Sequence, residues 1–321
     1  MSDLAVAIGD ITEAHARVAG TVIRAPLLPA AWAPGDLWIK AENLQPIGAF
    51  KLRGAVNALA LLDPEARSRG VVTHSSGNHG QAVAWAARAA GARAVIVMPE
   101  EAASIKVEAT KALGAEVIIV PGALRERVAE AVQQSWGMTL IPPYDHADVI
   151  SGQGTLALEA IEDLDDIDTV LVPVGGGGLI SGVAIAVKAL SPRTRVVGVE
   201  PALAADVQES LASGRRIEWD ATLTYRTVAD GTRTPVVGEI TFPIIQATVD
   251  EIVTVTEHEI LAAVGSLARR AHLVAEPSGA LSTAAYIADP GKYGRTVAVL
   301  SGGNIDPLVL AHALAPSAGK E

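Results

Sequence analysis

The chain contains no cysteine, which excludes a disulfide scaffold, a thiol nucleophile and any thiolate metal site, and is ordinary for a cytosolic protein. The seven histidines form no close ligand pair. There is no basic patch either: the formal net charge is −11 and the lysines and arginines are scattered, so neither nucleic acid nor an anionic membrane surface is expected as a partner. No signal peptide opens the chain, because residues 1–20 mix Asp3, Asp10, Glu13, His15 and Arg17 into an amphipathic pattern. A cytoplasmic location is the expectation. Thr169 to Val187 carries no charge and has the length of a membrane span, but Pro173 and four consecutive glycines from Gly175 would break a helix at its centre. A buried strand, loop and helix is expected there instead.

What is present suffices for a large core: 321 residues, half of them hydrophobic. Short apolar runs alternate with helical stretches. Val71–His74 precedes a helix over Gln81–Ala90, Ala94–Met98 one over Ser104–Leu113, and Glu116–Val120 one over Leu124–Trp136. Thr169–Val174 precedes a helix over Leu179–Leu190, followed by a strand over Arg195–Val199. Gly91, Gly114 and Gly137 stand where left-handed C-terminal caps are wanted. This repeated βα order predicts an α/β protein with two open parallel-sheet domains. The smaller, residues 70–147, is inserted into the larger, formed by residues 1–69 and 148–321. Ligands of such sheets sit beyond the carboxyl ends of strands, so the glycine-rich loops after Thr73, Val174 and Leu300 are where chemistry is sought.

Four segments carry that chemistry. In Asn43-Leu-Gln-Pro-Ile-Gly-Ala-Phe-Lys51-Leu-Arg-Gly54, a lysine behind Phe50 would be partly desolvated, which favours the neutral, nucleophilic amine; the alternative is an ordinary surface lysine. Ser75-Ser76-Gly77-Asn78-His79-Gly80 lies between a strand and a helix, where free amides suit a carboxylate, or where serine simply caps a turn. Gly175 to Gly178, followed by Leu179 and a helix, lets backbone N–H groups approach an anion, and a phosphate is the natural guest. No register of this loop gives a dinucleotide fingerprint, and no P-loop lysine follows. Finally, Ser301-Gly-Gly-Asn304 ends a late strand with a hydroxyl that could meet a heteroaromatic nitrogen or cap a turn.

In this order and spacing, N-L-Q-x-x-G-x-F-K-x-R-G, S-S-G-N-H-G, P-x-G-G-G-G-L and S-G-G-N resemble the fold-type II (tryptophan synthase β-like) pyridoxal-phosphate family, in its serine/threonine dehydratase and serine racemase branch. The resemblance covers nearly the whole chain. It implies a cofactor in the cleft between the two domains, with Lys51 as the Schiff-base lysine. Phe50 and Asn78 would contact the ring and its phenolic oxygen, Gly175, Gly176, Gly177, Gly178 and Leu179 would cradle the phosphate, and Ser301 would meet the pyridine nitrogen. Ser75, Ser76, Gly77 and His79 would bind the substrate carboxylate.

A serine beside the ring nitrogen makes a weaker electron sink than an aspartate would, which favours loss of a β-hydroxyl. Lys51 would take the α-proton, the cofactor phosphate would assist the leaving hydroxyl, and a 2-oxo acid and ammonia would result. Serine, threonine and 3-hydroxyaspartate are the expected substrates, racemisation is the alternative, and a non-catalytic binding protein a third reading. Ser76 favours the alternative, since racemases resemble this chain in having a base on the face opposite the lysine. Ala49 departs from the serine common in the family. Glu200, the Ala204 carbonyl and Asp206 are similar to the branch's divalent-cation site, so Mg²⁺, or Ca²⁺ or Mn²⁺, is expected there. A homodimer follows from the resemblance. The chain ends soon after Ser301, leaving no room for the regulatory domain of biosynthetic threonine dehydratases, and feedback by isoleucine is not expected.

Overall fold

The computed structural model describes residues 4–75, 77–102 and 104–315. Ten strands form two sheets. The strands β1 (Leu27–Pro29), β2 (Leu37–Ala41), β3 (Val71–His74), β4 (Ala94–Pro99), β5 (Glu116–Val120), β6 (Thr139–Leu140), β7 (Thr169–Pro173), β8 (Arg195–Pro201), β9 (Glu251–Val255) and β10 (Thr296–Leu300) follow in chain order. One sheet has six strands in the order β1-β2-β10-β7-β8-β9; the other has four, β5-β4-β3-β6. Among the described strands β1 and β2 pair antiparallel and all the other neighbours pair parallel.

The runs of β-branched residues sit where both faces of a sheet are covered. Val170, Val172, Val297 and Val299 point into one core of the larger sheet, and Leu171, Ala298 and Leu300 into another, the alternation that a strand imposes. In the smaller sheet Val71, Ile96 and Met98 face one core and Val72, Val95 and Val97 the other. The expected glycine caps are left-handed: φ is +66 at Gly91, +91 at Gly114 and +65 at Gly137. Among the described residues no helix is long and apolar enough to cross a membrane.

The sequence pattern missed β2, because Lys40 interrupts it. Lys40 is nevertheless fully buried: its Nζ donates to Glu159 Oε2 (2.6 Å) and to the Ala25 carbonyl (2.7 Å). Beside it Arg53, also fully buried, donates two hydrogen bonds to Glu42 and two to Glu159. Two cations thus meet two carboxylates beneath the larger sheet. Burial alone would loosen the Arg53 proton, but Glu42 and Glu159 outweigh it and raise its pKa; the same contacts hold Glu159 below the ordinary carboxylate value.

Candidate active site

The carboxyl ends of β3, β7 and β10 bring the three glycine-rich loops together. Beside β10, the segment before Lys51 runs antiparallel to the loop 301–303. Phe50 N–H donates to the Ser301 carbonyl (3.0 Å), Gly303 N–H donates to the Gly48 carbonyl (2.9 Å), and Ala49 bridges Gly302. These bonds set Lys51 at the first position of the Lys51–Ala60 helix. Its Nζ donates to the Pro143 carbonyl at 2.6 Å and lies 5.1 Å from the centre of the Phe50 ring. Among the described residues no carboxylate pairs with it. The residue is partly exposed along its stem, but the amine is enclosed, and burial draws its pKa down to about 8. The positive end of its helix works in the same direction.

In the loop after β3, Ser75 spends its N–H on the Val97 carbonyl (3.1 Å), and its Oγ accepts from Gly77 N–H (3.2 Å). Among the described residues, first-turn amides of the Asn78–Ala89 helix, those of Asn78 and His79, meet no acceptor and are available to a carboxylate. Ser76 lies outside the described residues. His79 is 2% exposed, and its Nε2 lies 2.9 Å from the Ile141 carbonyl. A carbonyl only accepts, so Nε2 carries the proton, and among the described residues Nδ1 has no partner. Burial, then the charge of Lys51, push its pKa down to about 3, so the ring stays neutral.

The Asn78 side chain is clamped from two sides. Its Nδ2 donates to Glu276 Oε1 (2.6 Å), and its Oδ1 accepts from Asn304 Nδ2 (2.7 Å). Nδ2 keeps one free proton. Burial, then Asp230, push the Glu276 pKa up to about 7. Ser301 is 5% exposed, and its Oγ reaches the Ser278 carbonyl only at 3.5 Å, the limit of a hydrogen bond.

In the loop after β7, Gly176, Gly177 and Gly178 are buried, and the last begins the Gly178–Leu190 helix. Gly177 has φ +93, a conformation other residues rarely adopt. A Cβ on Gly176 would stand 2.4 Å from the Tyr144 ring. Among the described residues nothing accepts a hydrogen bond from the N–H of Gly176 or Gly177. Buried, unpaired amides at a helix N-terminus fit a phosphate, and a lowered-pKa amine beside them fits an aldehyde.

These residues can hold pyridoxal phosphate, and comparison with known proteins gives the same answer. Residues 18–302 match the family described as "Pyridoxal-phosphate dependent enzyme". The chain belongs to that family. Among its relatives is the L-threo-3-hydroxyaspartate ammonia-lyase of Saccharomyces cerevisiae, 42% identical over 306 residues and 93% of each chain. The L-threonine ammonia-lyase of Thermotoga maritima is 42% identical over 94% of this chain and 76% of that one. Among solved structures, maize serine racemase superposes with a TM-score of 0.91 at 40% identity, covering 97% of each chain. The pyridoxal-phosphate fold expected from the motifs is thereby shown.

Glu200, Ala204 and Asp206 are all buried at the end of β8. Glu200 accepts from the N–H groups of Val207 (3.1 Å) and Gln208 (2.8 Å), whereas among the described residues neither carboxylate oxygen of Asp206 makes a well-formed hydrogen bond and the amides of Asp206 and Val237 approach it only loosely. Burial, then Asp206, push the Glu200 pKa well up; burial pushes Asp206 to about 7, and nearby amides offset this only in part. Among the described residues no cluster of three acidic or histidine side chains forms. The candidate donors are two side chains and one backbone carbonyl, all hard oxygens of the kind Mg²⁺ or Ca²⁺ takes.

Sequence reasoning passed over the stretch Ile141–His146. Ile141 and Pro143 receive His79 and Lys51, Tyr144 covers the glycine loop, and the Asp145 carboxylate accepts from the amides of Glu239, Ile240 and Thr241. In the sequence Pro142-Pro143-Tyr144-Asp145 reads as a plain loop, and the contacts that bring it to the site are with residues distant along the chain.

Proposed function

We propose that this enzyme eliminates water from a small β-hydroxy amino acid and releases a 2-oxo acid and ammonia. The observation that carries the reading is the Lys51 amine, which among the described residues has no carboxylate partner, donates to the Pro143 carbonyl and has its pKa drawn down to about 8 by burial. Lys51 would hold the cofactor covalently, with Phe50 and Asn78 at its ring, Gly175 to Leu179 at its phosphate and Ser301 at its ring nitrogen. Bound there, pyridoxal phosphate supplies an aldehyde that captures amines and a ring that draws electrons from the α-carbon.

The chain's own residues do the rest. The amides of Asn78 and His79, next in the sequence to Ser75, Ser76 and Gly77, orient the substrate carboxylate. The Lys51 Nζ takes and holds the α-proton; with a pKa near 8 a useful fraction is neutral at mildly alkaline pH. The Pro143 carbonyl aims that amine. Neutral His79 adds no second positive charge beside it. The residues 70–147 would close over the substrate as a unit, and Lys106, 3.1 Å from Asp230, spans the two sheets' segments.

The relatives' names favour 3-hydroxyaspartate, threonine and serine as the substrate class. Racemisation of serine is the second reading, favoured by the fit to maize serine racemase and by Ser76. A divalent cation, Mg²⁺ in the first instance, would compensate Glu200 and Asp206 with the Ala204 carbonyl. The homodimer rests on resemblance, and the cytoplasmic location on the amphipathic pattern of residues 1–20. The test is to incubate the holoenzyme with L-serine, L-threonine and both 3-hydroxyaspartate diastereomers while following 2-oxo acid and enantiomer content. Enantiomer exchange without 2-oxo acid would replace elimination by racemisation; neither product from any of them would sink both readings.

A further inference from the structure

The carbonyl of Gly176 is held by two donors from one turn: Gly238 N–H at 3.2 Å and Thr241 Oγ1 at 2.7 Å. That turn is itself gripped by Asp145. Its Oδ2 accepts from Glu239 N–H (2.9 Å), and its Oδ1 accepts from Ile240 (2.8 Å) and Thr241 (3.1 Å). Residue 238 is glycine in keeping with this approach, for a Cβ there would stand 2.2 Å from Asp145 Oδ1. In a trans peptide the C=O and the following N–H point in opposite directions. Pinning the Gly176 carbonyl therefore sends the Gly177 N–H to the other side, where among the described residues it meets no acceptor. The next residues begin a helix, so this amide extends the row of free donors at its N-terminus.

We propose that Asp145 and Thr241 are positioning residues for the cofactor phosphate, locking the peptide between Gly176 and Gly177 with its N–H turned to the anion. The inference rests on the glycine loop being the phosphate site. Without the lock the peptide is free to rotate, since glycine on both sides opposes rotation very little. The simpler view, that Asp145 merely caps the Thr241–Thr248 helix, makes a different prediction.

The test measures the affinity of the cofactor-free protein for pyridoxal phosphate and for pyridoxal, which lacks the phosphate, by absorbance titration. Wild type is expected to prefer the phosphorylated form strongly. Thr241→Val and Asp145→Ala are each expected to weaken pyridoxal phosphate by about tenfold, the scale of one hydrogen bond to a charged group, and to leave pyridoxal unchanged. Thr241→Ser, which keeps the hydroxyl, is expected to retain the wild-type preference. Equal losses for both ligands would mean a structural role only and would overturn the proposal, as would no loss for either or a Thr241→Ser variant as weak as Thr241→Val. Should Asp145→Ala fail to fold, the two Thr241 variants decide the matter alone. A wild-type protein with no preference for the phosphorylated form would instead remove the phosphate-loop reading on which the proposal stands.

Discussion

Two buried regions of this molecule treat charge in opposite ways. Beneath the larger sheet, Lys40 and Arg53 meet Glu42 and Glu159 and every charge has a partner. At the candidate site, among the described residues, the Lys51 amine donates to a carbonyl and has no carboxylate partner, Glu276 accepts from the Asn78 amide, and His79 Nδ1 has no partner. Matched charges neutralise one another in place and serve the fold. Unmatched ones are driven toward neutrality by desolvation, so their amines and carboxyls become able to exchange protons and receive a ligand. The Glu200–Asp206 pair belongs with the second kind, carrying two acids and no cation of the chain's own.

The sharpest break between the regions is expected from two cation deletions. Lys51→Ala should lower turnover by about 10³-fold or more while leaving thermal stability intact, as assays and melting curves would show. Arg53→Met should do the reverse, stranding two buried carboxylates beside Lys40 at a cost of about 3–5 kcal/mol in urea unfolding. A stable Arg53→Met protein would blur the distinction. Glu276 gives a pH signature. Its folded pKa, about 7, lies above the ordinary value of 4.5, so its contribution to stability is present below pH 4.5 and is lost as pH rises through 7. In the cofactor-free protein, Glu276→Gln should therefore raise stability at pH 8, by on the order of 2–3 kcal/mol, and leave it alone at pH 4; parallel stability profiles would contradict this. The smallest effect is the cation: Mg²⁺ should raise the melting temperature of wild type by a few degrees and that of Asp206→Asn hardly at all. Chelator and Mg²⁺ leaving wild type unmoved would put Glu200 and Asp206 among ordinary buried acids.

The same contrast explains what could be read in advance. Strands β3, β4, β5, β7 and β8 announce themselves as short apolar runs alternating with helical stretches, and the three loops after β3, β7 and β10 keep their ligand-binding groups within a few consecutive residues. Lys40 hides β2 because nothing local shows that Glu159 waits to neutralise it. β6, with two residues, is too short for any periodicity. Pro143, Tyr144 and Asp145 work through a carbonyl, a ring face and a remote turn, none of which leaves a mark on the neighbouring sequence. Glu276 stands beside a recognisable Pro-Ser-Gly, but its burial against Asn78 is a product of the fold.

The account stands on which lysine carries the cofactor. Reducing the holoenzyme with borohydride and mapping the modified peptide would settle it. The pyridoxyl group is expected on Lys51 alone; finding it on Lys40, on any other lysine, or on none would contradict the assignment.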